Sequence, residues 1–113
     1  MDNCLFCKIA AGEIPSTKVY EDDKLLAFKD INPQAPVHIL IIPKQHFDSV
    51  NALDESSAPI VGDIMLVAKR LAKEFGLDAG YRIITNIGEN GGQTVKHLHF
   101  HLLGGVKLNE KMC

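Results

Sequence analysis

Every second residue from 97 to 101 is a histidine, with His97, His99 and His101 alternating with Leu98, Phe100 and Leu102. Successive strand side chains point to opposite faces, so this spacing lines one side with three imidazoles and turns the apolar residues into a core. Folding alone gains nothing from the row. Each imidazole asks for hydrogen-bond partners, and neighbouring cations repel. His38 opens an apparent neighbouring strand, which would gather four of the chain's five histidines. Beside the plain alternative of a solvated strand face, two chemistries suit such a cluster: a metal centre or nucleophilic attack on phosphorus. Just upstream, Gly88, Gly91 and Gly92 precede Gln93 and Thr94. Backbone donors and a hydroxyl in such a loop can cradle an anion. Glycine-rich loops serve hairpin geometry more often than phosphate, and the histidines that follow give this one its weight.

Cys4-Leu5-Phe6-Cys7 has the spacing of half a zinc site. A redox role fits less well, because a thioredoxin-like pair sits at a helix start after a strand, and this pair opens the chain. The remaining alternative keeps both cysteines as small apolar packing residues. With Cys113 the count is three, an odd number that argues against a disulfide framework.

The elements that must position these residues follow from periodicity and turn chemistry. Phe6 to Ala11 predicts a short helix stopped by Gly12. Lys18–Glu21 and Leu25–Lys29 read as strands joined by an Asp22-Asp23-Lys24 turn. Asn32 to Pro36 is a rigid loop, since prolines fix φ and disfavour helix before them. His38–Ile42, closed by Pro43, is a continuous β-branched run expected to be a central strand covered on both faces. Ile60, Ile64, Val67, Leu71 and Phe75 recur at helical spacing, which predicts one long helix from Asp54 or Ser57 to Phe75 with Gly76 as its stop. Tyr81–Asn86 and His97–Leu103 read as two more strands. The expectation is a single α+β domain over 1–113, with a five-stranded antiparallel sheet, one long helix and a short N-terminal helix.

The composition narrows the function. Among 113 residues, 46% are hydrophobic and 23% charged, as in ordinary globular proteins. Twelve Lys and Arg against fourteen Asp and Glu leave no positive surplus for a nucleic-acid backbone. No apolar run approaches the roughly 20 residues a membrane span needs. The opening Met1-Asp2-Asn3-Cys4 lacks the pattern of a signal peptide, so a cytoplasmic location is expected.

His97-Leu98-His99-Phe100-His101-Leu102-Leu103 resembles the His-φ-His-φ-His-φ-φ signature of the histidine triad (HIT) superfamily. Glu13-Ile14-Pro15, Phe28 to Pro36, His38 and Gly91-Gly92-Gln93-Thr94 are similar to its Hint branch, the nucleoside phosphoramidate hydrolases, in the same order along nearly the whole chain. The resemblance implies that His99 attacks the α-phosphorus to form a covalent nucleotidyl-histidine, which water hydrolyses to a nucleoside monophosphate. A neutral imidazole near the ordinary pKa of ~6.5 is a competent nucleophile. It further implies that His101 protonates the departing amine, and that His38 and His97 complete the polar cluster. Asn86 and the segment Gly92, Gln93, Thr94 and Val95 would contact phosphate, with Thr94 where the branch usually has serine. Asp30 would accept the ribose hydroxyls, and Phe6, Ile9, Ile14, Phe28 and Ile31 would form the apolar slot for a purine base.

By the same resemblance Cys4, Cys7, His46 in Pro43-Lys44-Gln45-His46, and His97 would bind a structural zinc, with no cofactor needed for catalysis. The implied partners are a nucleoside monophosphate or phosphoramidate and a second copy of the chain, joined through the long helix and a strand near the Gly-rich loop. Nucleic acid and membrane are not expected partners. Two rival functions stand beside this one: a dinucleoside polyphosphate hydrolase like the Fhit branch, and a nucleotide-binding regulatory protein whose catalysis is incidental. The tail from Val106 to Cys113 lacks the Trp-containing ending of some Hint proteins, which leaves open any leaving-group selectivity carried there.

Overall fold

The computed structural model describes residues 3–111, so Cys113 and the start and end of the chain discussed above lie outside the described residues. Five strands form one antiparallel sheet: β1 (Lys18–Glu21), β2 (Leu25–Lys29), β3 (Val37–Pro43), β4 (Tyr81–Ile84) and β5 (Phe100–Gly104), in the spatial order β1-β2-β3-β5-β4. Among the described residues two α-helices accompany it, α1 (Leu5–Ala10) and α2 (Pro59–Glu74). The α+β class and the five-stranded antiparallel sheet with one long helix match the expectation from sequence.

β3 is the centre of the molecule. Alternation sends Ile39 and Ile41 to one face, where they pack with Leu25, Ala27, Phe100 and Leu102 against Ile64, Ala68 and Leu71 of α2. Leu40 and Ile42 go to the other face, where they meet Leu26, Phe28 and α1 residues Phe6 and Ile9. A strand covered on both faces needs a continuous apolar run, and His38–Ile42 supplies one. The β1–β2 turn is held by Asp22, whose carboxylate accepts from the N–H groups of Lys24 and Leu25, both at 2.8 Å.

Three boundaries differ from the sequence reading by two residues or more. The long helix starts at Pro59, because Asp54 first folds the chain into a separate turn by accepting from the N–H groups of Ser56 and Ser57. Its end agrees: Gly76, at φ +73°, reverses the chain after Phe75. β4 stops at Ile84, two residues early, and the Thr85 hydroxyl donates to the His99 carbonyl at 2.8 Å in place of a ladder bond.

The third difference bears on the site. Residues 97–99 lie outside any strand, and β5 begins only at Phe100. The last β3–β5 pair is Ile41 with Phe100. Further pairing would set Leu98 against Pro43, which has no N–H to donate. Instead the Pro43 carbonyl accepts from the His97 ring at 2.8 Å, and the Leu98 N–H donates to Phe47. Alternation nevertheless persists through the break, for Leu98 joins the α2-side core while His99 and His101 border a cavity on the opposite side. Among the described residues no helix is long and apolar enough to cross a membrane.

Candidate active site

On the α1 side of the sheet a cavity of about 710 Å³ opens between α1, the end of β2, the start of β3 and the segment 86–101. Its volume falls within the range of roughly 300–1,000 Å³ usual for small-molecule sites. One end is apolar, with Phe6, Ile9, Ile14, Phe28 and Leu40, and the other carries Asp30, His38, Asn86, Thr94, His99 and His101. Phe6 stands edge-on to His99, ring centroids 5.0 Å apart, so α1 packs directly on the histidine row.

The hydrogen bonds assign a tautomer to each ring. His99 Nδ1 lies 2.7 Å from the His97 carbonyl, which can only accept. Nδ1 therefore carries the proton, and the neutral ring keeps its lone pair on Nε2. His38 Nδ1 accepts from the Gln34 N–H at 3.0 Å, so His38 carries its proton on Nε2. That proton points at His101 Nδ1, 2.9 Å away, which leaves His101 with an N–H at Nε2. A lone pair on His99 and a donor on His101 thus sit on rings 5.1 Å apart, both bordering the cavity.

The rings favour their neutral forms. Burial pushes the pKa of His38, His97 and His99 below the ordinary histidine value. For His101, burial together with the nearby His99 and His38 pushes it down to about 4. Asp30 sits 3.5 Å from His38 Nε2 and accepts from the Asn32 N–H at 2.7 Å. Asp30, His38 and His101 are close enough to hold a metal ion. However, the proton between the two rings makes His38 and His101 a hydrogen-bonded pair, with the Asp30 carboxylate beside it.

The Gly-rich loop uses most of its own donors. The N–H groups of Gly91, Gly92 and Gln93 bond to the carbonyls of Gly88 and Glu89. Gly92, at φ +82°, makes the reversal that only glycine adopts readily. Among the described residues, the N–H groups of Thr94 and Val95 have no protein acceptor. Thr94 and Val95 line the cavity, so these donors beside it follow the glycines. Gln93 is not in the cavity wall; its amide braces the loop to Gly88, Val95 and Asp48. Ile31 is 90% exposed at the cavity rim, apart from the buried Phe6, Ile9 and Phe28.

Behind the cavity Cys4, Cys7, His46 and His97 present four ligand atoms within 4.8 Å of one another. Cys4 Sγ lies 3.3 Å and Cys7 Sγ 3.4 Å from His97 Nδ1, and Cys7 Sγ is 3.3 Å from His46 Nδ1. Zn–S of about 2.3 Å and Zn–N of about 2.0–2.1 Å in a tetrahedron put sulfur and nitrogen about 3.5 Å apart, so the set fits zinc. Each imidazole is also oriented for it. His97 Nε2 donates to the Pro43 carbonyl and His46 Nε2 to the Asp48 carboxylate, which leaves both Nδ1 lone pairs facing the sulfurs. Burial and the adjacent Cys4 thiol push Cys7 up to about 11, so the thiolate there calls for a cation.

Several participants lie outside the residues that the sequence singles out. Gln34 acts through its backbone N–H, which leaves no mark in residue type. Asp48 follows His46 at the spacing of a local ring–carboxylate pair, a signal that was available. Leu5, Pro15, Ser16, Lys29, Asn32 and Leu40 also line the cavity, and the Ser16 hydroxyl is buried without a partner among the described residues.

The HIT domain family matches residues 11–108. Protein HitA of Neisseria gonorrhoeae is 52% identical over 104 residues, covering 92% of this chain and 97% of its own. A 14 kDa zinc-binding protein of Zea mays is 54% identical over 108 residues, covering 93% and 84%. Among solved structures, a HIT family hydrolase from Clostridium thermocellum superimposes with a TM-score of 0.97 at 53% identity, covering 100% of this chain and 99% of that one.

Proposed function

The chain belongs to the HIT domain family, and from that premise we propose that it is a hydrolase of purine nucleoside phosphoramidates acting through a covalent nucleotidyl-histidine. The observation that carries this reading is the pairing of a free His99 Nε2 lone pair with a His101 Nε2 donor beside one cavity. The description of the Clostridium thermocellum structure as a hydrolase supports the reaction class.

The base lies in the apolar end, against Phe6, Ile9, Ile14 and Phe28, with Ile31 folding over it at the rim. Asp30 accepts from the ribose hydroxyls, since a carboxylate can take two donors from a cis diol. Asn86, the Thr94 and Val95 N–H groups, the Thr94 hydroxyl and the Gly92 turn hold the phosphate, and Gln93 keeps that turn in shape. The bound anion supplies the counter-charge that lets the His38–His101 pair hold an added proton. His99 Nε2 then attacks phosphorus as the P–N bond breaks, and His101 gives its proton to the departing nitrogen. Water next attacks phosphorus, His101 takes its proton, and cleavage of the P–Nε2 bond releases the nucleoside monophosphate.

Cys4, Cys7, His46 and His97 hold zinc in a closed set of four protein ligands, which gives the ion a structural role. The zinc-binding relative from Zea mays and the fit of the donor atoms support this. The site ties α1, and with it Phe6, to the residue whose carbonyl orients His99. The protein works as a homodimer, for which Leu66 at 67% and Met65 at 42% exposure on α2, and Tyr81 on the edge strand β4, offer apolar surface. Two unbridged thiols suit a reducing, cytoplasmic setting.

Intact-mass measurement after mixing with adenosine phosphoramidate tests the mechanism. A nucleotide-sized adduct on the wild type or a His101 variant, lost in His99→Ala, is the expected result. Tight nucleotide binding with neither adduct nor turnover would point instead to the regulatory role.

A further inference from the structure

Asp48 belongs to neither the ligand set nor the cavity wall, yet it touches the residues that link them. Its carboxylate Oδ1 is 2.6 Å from His46 Nε2, and its backbone carbonyl accepts from Gln93 Nε2. Gln93 in turn closes the Gly-rich loop. Its Oε1 accepts from the Gly88 N–H at 2.9 Å, and its Nε2 also donates to the Val95 carbonyl at 3.0 Å. The candidate metal centre and the loop ahead of the histidine row therefore meet at Asp48, besides the bond from the His97 N–H to the Val95 carbonyl.

The two halves of Asp48 have separate physical effects. A carboxylate accepting from one ring nitrogen fixes the tautomer of a ligating histidine and makes the other nitrogen a better donor. Here the other nitrogen is the Nδ1 that faces Cys7 Sγ. The Asp48 carbonyl lies only two residues beyond His46, so whatever immobilises His46 also immobilises the acceptor on which Gln93 rests.

We propose that Asp48 is a positioning residue that orients His46 for metal binding and, through Gln93, passes metal occupancy on to the phosphate loop. The proposal rests on the reading of Cys4, Cys7, His46 and His97 as a zinc site. It assigns Asp48 a part in metal affinity and makes residues 88–95 sensitive to an ion they do not touch.

Chelator competition on the full chain purified with zinc tests the first half. Asp48→Ala should weaken zinc binding about tenfold, the lower end for such outer partners because this carboxylate is 70% exposed. Asp48→Asn, whose amide oxygen still accepts the ring N–H, should recover part of that loss. Hydrogen exchange followed by mass spectrometry tests the second half. Removing zinc should speed exchange over residues 88–95 in the wild type, whereas Gln93→Ala should exchange fast with or without the metal. Equal zinc affinity in Asp48→Ala and the wild type overturns the orienting role. Wild-type loop exchange indifferent to zinc overturns the coupling. A wild type that binds no zinc removes the metal reading itself, and this inference with it.

Discussion

β3 sends Ile39 and Ile41 toward α2 and His38, Leu40 and Ile42 toward α1, so one strand serves two unlike surfaces. Toward α2 the packing is apolar and deep, with Ile41, Ile64, Leu71 and Leu102 fully buried. Toward α1 a smaller apolar cluster around Phe6 and Phe28 gives way within one strand to imidazoles and a carboxylate beside open space. The contrast teaches that alternation lets stability and chemistry share a backbone while drawing on different side chains. His38 and Ile39 are neighbours in sequence, yet they can be changed for different reasons.

The sharpest way to break the comparison is His99→Ala, which removes the proposed nucleophile and leaves the α2 face untouched. Turnover should fall at least about a thousandfold while the melting temperature stays close to that of the wild type. A residual rate within tenfold of the wild type would remove the covalent mechanism. His101→Gln should cost about 10²–10⁴ in kcat/KM on a poor amine leaving group. The loss should shrink on a substrate whose leaving group needs no proton. Equal losses on both would deny His101 the acid role.

Leu71→Ala tests the other face. It should cost about 2–5 kcal/mol in urea unfolding, with kcat/KM per folded molecule unchanged. A large change in kcat/KM would mean that the two faces are not separable. The pH profile gives the finest test. His99 is held below 6.5 by burial, so the acid limb of kcat/KM should have its midpoint below that of free imidazole. The same shifts set the sign for stability. The unfolded chain takes up protons first, so the contribution of these rings is whole above about 6.5 and is lost as pH falls toward the His101 value of about 4. Melting temperatures measured between pH 7 and pH 4.5 should fall accordingly.

Much of this was legible in the amino-acid order because it rests on local rules. The period of two at His97, His99 and His101, the helical spacing from Ile60 to Leu71 and the Asp22 turn each act over a few residues. What the order leaves open has two sources, partners distant in sequence and local groups that could serve more than one turn. The break before Phe100 arises because Pro43, more than fifty residues earlier, has no N–H and gives its carbonyl to a side chain. α2 starts later than its spacing predicts because Asp54 can cap either a helix or an isolated turn, and Pro59 at the first helical turn decides between them. Which donors stay free at Thr94 and Val95 depends on the carbonyls that the loop's own N–H groups take.

The Thr85 hydroxyl holds the His99 carbonyl where a backbone amide would otherwise do so. Position 99 is therefore the first residue beyond the repeating lattice of β5, anchored by a side chain that substitution can lengthen, shorten or remove. Changes at 85 would retune the placement of the His99 ring by fractions of an ångström without disturbing a single rung of the ladder behind it.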